Sequence, residues 1–497
     1  MLPFDDKQDT EYAIKLITEG RPVSLTYPGI VDDRINDISG FLFRLLSRYD
    51  LGYTVDLILF LLREIFTNSS HANAKRLFFT YKNKNINDPD SYKSTMPLYK
   101  DEVLNRWDTF VTENENSVYY IKLTIKAENK TFTFTVENNS EIIYSEMMRI
   151  EDRIKSYNNY RNLNDAFAKI SDVSEGAGCG IVIMLILLKN MGIRKDHLKI
   201  KSGDGITRTS LQIPFEIRQE DSILLLKKGI LEETESLPSL PQNISNLIEM
   251  CANSALPIEK ISAGIEHDPG LAAQVLKVAN SGIFITRKKN PGLFDAVKIL
   301  GLKNLSHLLM ITGAQNLLSQ KYRESDILPI WENSNRVAFY TRILTDRSYS
   351  YREVAPTAGL LHAMGRIVLK AREPLFMNKI STMMRDGRAR NESVLQEVTL
   401  GISHAEIGAL LAEKWNFSAP LIHAIRYQER PYLSQKPYRD LTEIVYLSIM
   451  LESARLNRAH YYSVESSILK KFGIHSREDF QNKITQLDEL YRAENIS

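Results

Sequence analysis

The chain has 497 residues, of which 43% are hydrophobic and 25% are charged, and its formal net charge is +2. This length predicts two or three domains, and the balanced charge gives no overall attraction to nucleic acid or to an anionic membrane. The two cysteines, Cys179 and Cys251, exclude a disulfide framework and a paired-cysteine metal site. No signal peptide is visible, and the longest apolar run is far below the ~20 residues that span a bilayer, so we expect a cytoplasmic protein.

The first 218 residues mix helical and strand patterns. Strands are expected where aromatic, Thr and β-branched residues cluster or where apolar and polar residues alternate, and helices where apolar residues recur at helical spacing. In chain order the pattern predicts a strand at 22–27, helices at 35–49 and 55–71, a strand at 75–82, a loop at 83–94, a hairpin of strands at 118–126 and 131–137, a helix at 181–191, and strands at 198–202 and 208–215. Helices packed on strands describe an α+β first domain, an α/β sandwich, over residues 1–218.

The second half carries helical periodicity and no convincing strand. Residues 219–236 are charged and are interpreted as a linker, residues 237–432 as an all-α domain, and residues 433–497 as a helical extension. One helix start is well marked, because Asp268 can accept from free N–H groups of the first turn and Pro269 suits the first helical position.

Two segments of the first domain combine residue types that bind nucleotides. Glu64 and Asn68 are four residues apart in a predicted helix and therefore share a face. A carboxylate there can act as general base on a water, and an amide oxygen can ligate Mg²⁺. Gly176, Gly178 and Gly180 precede a helix whose unpaired N–H groups attract phosphate. Each feature alone is also typical of an ordinary helix surface or of a glycine-rich helix entry without a ligand.

Taken in order, the segment 64–74, the strand end Asn138-Asn139-Ser140 and the glycine turn resemble the motifs of the GHKL ATPases over residues 35–215. That resemblance implies ATP or another purine nucleotide with Mg²⁺ as cofactor, with Glu64 as water-activating base and Asn68 as Mg²⁺ ligand. It further implies that Asn138 contacts the purine amino group.

The same resemblance implies that Gly176, Gly178 and Gly180 hold the phosphates and that residues 141–174 form a mobile lid. The sequence departs from the family where an Asp-x-Gly site is replaced by Asn138-Asn139-Ser140. No histidine precedes His71, so autophosphorylation of the histidine-kinase kind is not expected.

An ordered set of short motifs in the second half resembles the HDOD family, an all-helical output module related to HD-type metal phosphohydrolases. The motifs, spread over residues 237–431, are Leu-Pro-Ser-Leu-Pro at 237–241, Asp268-Pro269, 296–302, 359–365, 404–408 and 415–420. At the positions where HD enzymes hold metal, the chain has Asn333, His362-Ala363 and a carboxylate-free stretch at 448–450. One ligand of four cannot hold a catalytic divalent ion, so no HD-type metal is expected.

Together, the two resemblances imply a cytoplasmic signal-transduction protein. A GHKL-like module would bind the nucleotide, and a non-catalytic HDOD module would pass that state to a protein partner, with a homodimer left open. One alternative is an active ATPase or an anti-sigma-type Ser/Thr protein kinase, and another is an interaction scaffold without nucleotide. The basic run 287–289 is interpreted as a solvated loop and not as a nucleic-acid contact.

Overall fold

The computed structural model describes residues 7–31, 35–49, 51, 54–114, 116–160, 166, 179–217, 221–253, 255–280, 292–345, 351–385, 392–457, 459, 461 and 464–496. The chain divides into two compact units. The first, here the N-terminal unit, comprises Met1–Leu226 with Lys379–Gly401 and His460–Lys471. The second, here the helical unit, comprises Lys227–Asn378 with Ile402–Ala459 and Phe472–Ser497.

The N-terminal unit contains one five-stranded sheet and helices from three parts of the chain. Its strands are β1 Val23–Pro28, β2 Tyr120–Glu128, β3 Thr131–Asn138, β4 Leu198–Gly203 and β5 Ile206–Pro214. Its helices are α1 Lys7–Thr18, α2 Ser39–Ser47, α3 Val55–Tyr81, α4 Pro89–Glu102, α5 Trp107–Asn114, α6 Tyr144–Ser156 and α7 Cys179–Asn190.

The sheet is antiparallel throughout, in the order β1-β2-β3-β5-β4. Along β2 and β3 the residues alternate between buried and half-exposed, so one face of the sheet is apolar. The predicted hairpin is confirmed, and Asn129 and Lys130 turn it with positive φ angles of 52° and 56°. Two successive residues with positive φ match the twist of the strands that they join. The α+β character of this region is therefore confirmed, with a small antiparallel sheet.

The strand predicted at 75–82 is wrong, because α3 continues without a break to Tyr81. Ala74, Leu77 and Phe78 are buried and follow the i, i+3, i+4 spacing of a helix, which outweighs the strand preference of the aromatic residues. The loop predicted at 83–94 is also too long. Helix α4 begins inside it at Pro89, where the Asp88 carboxylate accepts from the backbone N–H of Ser91 at 2.8 Å.

The described residues of the helical unit contain helices and no strand, as the sequence predicts. The segment interpreted as a linker is the helix α8 Asp221–Ser236, whose residues fall partly in each unit. The helices that follow are α9 Gln242–Ala252, α10 Ile258–Glu266, α11 Pro269–Asn280, α12 Leu293–Lys321, α13 Glu324–Leu344, α14 Ala355–Leu361, α15 Met364–Arg372, α16 Pro374–Arg385, α17 Glu392–Leu400, α18 His404–Lys414, α19 Ala419–Arg426, α20 Lys436–Arg455, α21 Ser466–Lys471 and α22 Arg477–Ile496. Of these, α17 and α21 belong to the N-terminal unit, as does α16 from Lys379 onward.

Helix α11 begins as predicted. The Asp268 carboxylate accepts from the backbone N–H of Leu271 at 3.0 Å, and Leu271, Val275 and Ala279 are buried in the core that α9, α10 and α12 share. The basic run 287–289, which follows α11, lies outside the described residues.

Helices α15 and α18 meet at two glycines. A Cβ built on Gly365 would lie 2.0 Å from the backbone oxygen of His404 and 2.6 Å from the backbone nitrogen of Gly408. Real Cβ atoms do not approach backbone atoms this closely, so the contact between the helices requires glycine at 365. The same approach brings His404, the first residue of α18, near His362, which lies two residues before the start of α15, and both histidines are buried.

Candidate functional site

Helix α3 and the start of α7 bring together two of the residues that the sequence nominates. A Cβ built on Gly180 would lie 2.3 Å from the Oε2 atom of Glu64, so the first turn of α7 approaches the Glu64 carboxylate closely. Glu64 is half-buried on α3. A helix N-terminus carries unpaired N–H groups and partial positive charge, so it stabilises a negatively charged group placed there. The carboxylate of Glu64 therefore lies where α7 favours an anion.

The rest of the glycine turn lies outside the described residues, including Gly176 and Gly178. Helix α7 begins at Cys179, whose side chain is not described, and its apolar residues from Ile181 to Leu188 are buried. The described part of the predicted phosphate-holding segment is thus the first turn of α7 with Gly180.

A buried polar cluster joins α3 to the end of β3, and we call it the Asn73 cluster. Asn138 donates through Nδ2 to Asn73 Oδ1 at 3.2 Å and to the Ser140 carbonyl at 3.5 Å, and Ser140 Oγ donates to the same Asn73 oxygen at 2.5 Å. Thr207 Oγ1 donates to the Ser140 carbonyl at 2.6 Å, and Asn73 Nδ2 donates to the Gly29 carbonyl at 2.8 Å. Both of these side-chain bonds of Asn138 use its Nδ2 group, so its side-chain oxygen, Oδ1, is the atom suited to accept a hydrogen bond from a ligand.

The amide that α3 directs to this strand end is Asn73 and not Asn68. Asn68 is exposed, whereas Asn73 is fully buried. Five residues of helix turn a side chain by about 140° beyond a full turn, so the two amides point to different sides of α3. The sequence contains one indication that Asn73 faces a neighbouring strand. The residues on both sides of it, Ala72 and Ala74, are small and allow a strand to approach.

The beginning of the segment predicted as a lid is attached to α3. Glu146 of α6 accepts from Lys75 Nζ at 2.6 Å and from Arg76 Nη2 at 2.5 Å, and Arg76 also donates to the Glu141 carbonyl at 2.6 Å. Burial opposes ionisation of Glu146, but Lys75 and Arg76 outweigh it and lower its pKa to about 2. Residues 144–156 are therefore helix α6 fixed by ion pairs, while most of 161–174 lies outside the described residues.

Replacing Glu146 with glutamine should lower the free energy of unfolding of the N-terminal unit by about 3 kcal/mol, because two largely buried cations lose their counter-charge. The matched control is Glu102→Gln, whose partner Lys82 lies in an exposed pair at 2.8 Å, and we expect a change within about 0.5 kcal/mol there. Urea titration, monitored by amide exchange in β2 and β3, measures the change in the free energy of unfolding for each variant. Equal losses in the two variants would contradict the buried ion pair as the source.

The helical unit offers a different kind of centre, made of buried histidines. His362 Nδ1 bonds the Gly359 carbonyl at 2.7 Å, and burial lowers the pKa of His362 to about 3. Burial also holds the pKa of His404 well below its usual value, and its Nε2 lies 3.7 Å from the Glu429 carboxylate. Both imidazoles are therefore neutral at pH 7, which suits the interior of a helical core.

These donors do not fit an HD-type metal. One nitrogen of His362 is occupied by a backbone carbonyl, and the neighbouring Ala363 has no ligand atom. Ser448 of α20 donates its hydroxyl to the Ile444 carbonyl. Over the part of the chain that the structure describes, no three His, Cys, Asp or Glu side chains are grouped as metal ligands would be.

A family model described as the HDOD domain matches residues 237–431. A curated protein of Treponema pallidum (strain Nichols), described as uncharacterized, is 27% identical over 501 residues, which cover 99% of this chain and 96% of that protein. Within its described ranges, this chain has no helix with both the length and the apolarity needed to cross a bilayer.

The solved structures to which the chain is similar include the following three. A putative phosphohydrolase from Shewanella amazonensis SB2B is 28% identical with a TM-score of 0.42, covering 52% of this chain and 93% of that one. An HDOD domain protein of unknown function from Geobacter sulfurreducens is 18% identical with a TM-score of 0.43, covering 55% and 96%. A putative signal transduction protein from Marinobacter aquaeolei VT8 is 21% identical with a TM-score of 0.42, covering 60% and 74%. By the family match, residues 237–431 of this chain are an HDOD domain.

Proposed function

We propose that this chain is a cytoplasmic regulatory protein whose N-terminal unit is a GHKL-like module that binds a purine nucleotide with Mg²⁺. Its HDOD domain passes the bound state to a protein partner. The observation that supports the nucleotide most strongly is the approach of Gly180 to Glu64. Glu64 and Gly180 are 116 positions apart in sequence and meet at the start of α7. There, backbone N–H groups would bind a phosphate, and the Glu64 carboxylate would act as general base on a water beside it.

The described residues fit a nucleotide at two points. The first turn of α7 contains Gly180, whose lack of a side chain lets the tip of the Glu64 side chain approach the backbone, and a phosphate could approach the same backbone once that tip turns aside. The side-chain oxygen of Asn138, Oδ1, can accept a hydrogen bond from a purine amino group while the Nδ2 group stays bonded to Asn73. Bound Mg²⁺ would neutralise phosphate charge, with exposed Asn68 proposed as its amide ligand and Gly176 and Gly178 as further phosphate contacts.

Calorimetric titration of the full chain with ATP, ADP and GTP, with and without Mg²⁺, tests the proposal. We expect saturable binding of a purine nucleotide and a loss of at least about tenfold in affinity for Gly180→Val, because its side chain would crowd the first turn of α7 beside the Glu64 carboxylate. The matched control is Gly40→Val in α2, where a Cβ meets no atom within 4 Å, and its affinity should equal that of the wild type. Absence of heat from every nucleotide would favour the scaffold without nucleotide.

The rival enzyme, an ATPase or an anti-sigma-type Ser/Thr kinase, is favoured by the position of Glu64, because a general base must lie near the transferred phosphate. Phosphate release, and phosphate transfer to added protein, are measured for the wild type and for Glu64→Gln. The regulatory proposal predicts binding without Glu64-dependent turnover. Turnover that falls by about 100-fold or more in Glu64→Gln would establish the enzyme instead.

A further inference from the structure

The five-stranded sheet of the N-terminal unit has a polar face opposite its apolar one, here called the open face. Two rows of side chains cross all five strands on it, as the strand register shows. The charged row consists of Thr26, Lys122, Glu137, Arg208 and Lys201. The neighbouring hydroxyl row consists of Ser24, Thr124, Thr135, Ser210 and Lys199. All these side chains are exposed or half-exposed, so the two rows form a surface of the unit.

The hydroxyl row forms a low floor beside the longer side chains of the charged row. Ser24 Oγ and Thr124 Oγ1 share a hydrogen bond at 2.8 Å, and Thr135 Oγ1 and Ser210 Oγ share one at 3.1 Å. A hydroxyl can donate one hydrogen bond and accept two, so each pair keeps capacity for a ligand. This row can therefore bond to the polar groups of a chain that lies across it.

Positive charge is concentrated on the open face. Along β2 to β5 the residues that point to this face include five cations and two carboxylates, namely Lys122, Lys126, Lys199, Lys201 and Arg208 with Glu128 and Glu137. The face thus has an excess of three positive charges, whereas the whole chain has a net charge of +2. A local excess of one sign attracts partners of the opposite sign, even where the whole molecule is nearly neutral.

Only some of these cations have a counter-charge. Arg208 Nε lies 2.6 Å from the Glu137 carboxylate, and Lys126 Nζ lies 2.5 Å from that of Glu128. Lys122, Lys199 and Lys201 form no ion pair with the residues that the structure describes. Their ammonium groups are the ones on this face that an anionic partner can neutralise.

The spacing of these lysines suits an extended peptide. Lys122 on β2 and Lys201 on β4 lie in the same row three strand positions apart, which is about 14 Å. Side chains at i and i+4 of an extended chain point to the same side and are also about 14 Å apart. An extended segment that crosses the strands can therefore place one carboxylate on each lysine, with the Glu137–Arg208 pair between them.

The same face is poorly suited to other anionic partners. Neither row contains an aromatic or apolar residue. Single-stranded nucleic acid is bound largely by stacking of its bases on aromatic rings, and the grooves of duplex DNA admit a helix or a two-stranded ribbon, not a broad sheet face. Lasting attachment to a membrane surface requires apolar side chains that enter it. A protein segment with spaced carboxylates requires neither feature.

We propose that the open face binds an extended acidic segment of a protein partner. Carboxylates at i and i+4 of that segment pair with Lys122 and Lys201, a further one pairs with Lys199, and the hydroxyl row bonds to its polar groups. This docking surface is independent of the nucleotide proposed above, because none of its residues belongs to the candidate nucleotide site.

Fluorescence anisotropy of the full chain with a fluorescein-labelled peptide of alternating Glu and Thr tests the proposal. Replacing Lys122, Lys199 and Lys201 together with glutamine should lower the affinity for this peptide by at least about tenfold, because three ion pairs are lost. The matched control replaces Lys84, Lys93 and Lys100 with glutamine. These exposed lysines lie in and next to α4, the net charge changes equally, and the affinity should stay within about twofold.

Two further labelled probes separate the outcomes, a Gln–Thr peptide and a single-stranded oligothymidylate with the charge of the Glu–Thr peptide. Saturable binding of the Glu–Thr peptide that only the first triple variant weakens, with none of the Gln–Thr peptide, supports the proposal. Equal losses in the two triple variants would indicate general charge attraction and overturn it, as would the absence of saturable binding. Tighter binding of the oligothymidylate would assign the face to nucleic acid instead. None of these results bears on the nucleotide function.

Discussion

Replacing Gly365 with alanine is expected to destabilise the helical unit by about 3 kcal/mol or more, because the added methyl group can only displace backbone. The Cβ atom of that alanine would lie 2.0 Å from the backbone oxygen of His404 and 2.6 Å from the backbone nitrogen of Gly408. Helices α15 and α18 would have to separate, and the buried His404 would move with α18. The loss is measured by urea unfolding followed by fluorescence of Trp331 and Trp415, in a Trp107→Phe background that restricts the signal to the helical unit.

The control for Gly365→Ala is Gly40→Ala, also a helical glycine, whose Cβ would meet no atom within 4 Å. Alanine there restricts the unfolded chain and should stabilise the protein by about 0.5–1 kcal/mol. A change smaller than about 1 kcal/mol in Gly365→Ala would show that α15 and α18 are not packed backbone to backbone.

Acidification should weaken the helical unit through His362. The pKa of His362 is about 3 in the folded protein, against 6.5 for a solvent-exposed histidine, because burial disfavours the charged imidazole. Between these values the unfolded chain binds more protons, so stability falls as the pH falls. From pH 7 to pH 4 the expected contribution of this histidine is about 3 kcal/mol, at 1.36 kcal/mol per pKa unit.

The variant His362→Gln isolates that contribution. Glutamine can still donate to the Gly359 carbonyl but does not titrate, so between pH 7 and pH 4 it should lose about 3 kcal/mol less stability than the wild type. The exposed His267→Gln serves as the substitution control. Parallel stability curves for the wild type and His362→Gln would contradict a neutral buried imidazole at this position.

Short stretches of sequence predict the elements that are determined by neighbouring residues alone. The alternation at 118–126 and 131–137 is sufficient for the hairpin, since the pleat alone decides which side chains are buried. The Asp268 carboxylate and Pro269 are sufficient for the start of α11. The order of short motifs from residue 237 to 431 likewise was enough to find the HDOD domain.

The misplaced elements depended on contacts between distant segments. The predicted end of α3 near His71 leaves Asn73 outside the helix, so the bond between Asn73 and Asn138 at the end of β3 could not be predicted. The helix continues because Leu77 and Phe78 pack with Tyr99 and Phe110 of α4 and α5, which no window around residue 75 reveals. The docking of α17 in the N-terminal unit is equally non-local, because Asn190 and Val398 are 208 positions apart.

Amide hydrogen exchange of the full chain, with and without ATP and Mg²⁺, tests the central claim most directly, because it reports where a ligand binds. We expect slower exchange in the first turn of α7, from residue 180 onward, and at the end of β3 around Asn138, with both effects lost in Gly180→Val. Exchange unchanged by saturating nucleotide in these two segments, or protected only in the helical unit, would contradict a nucleotide site between α3 and α7.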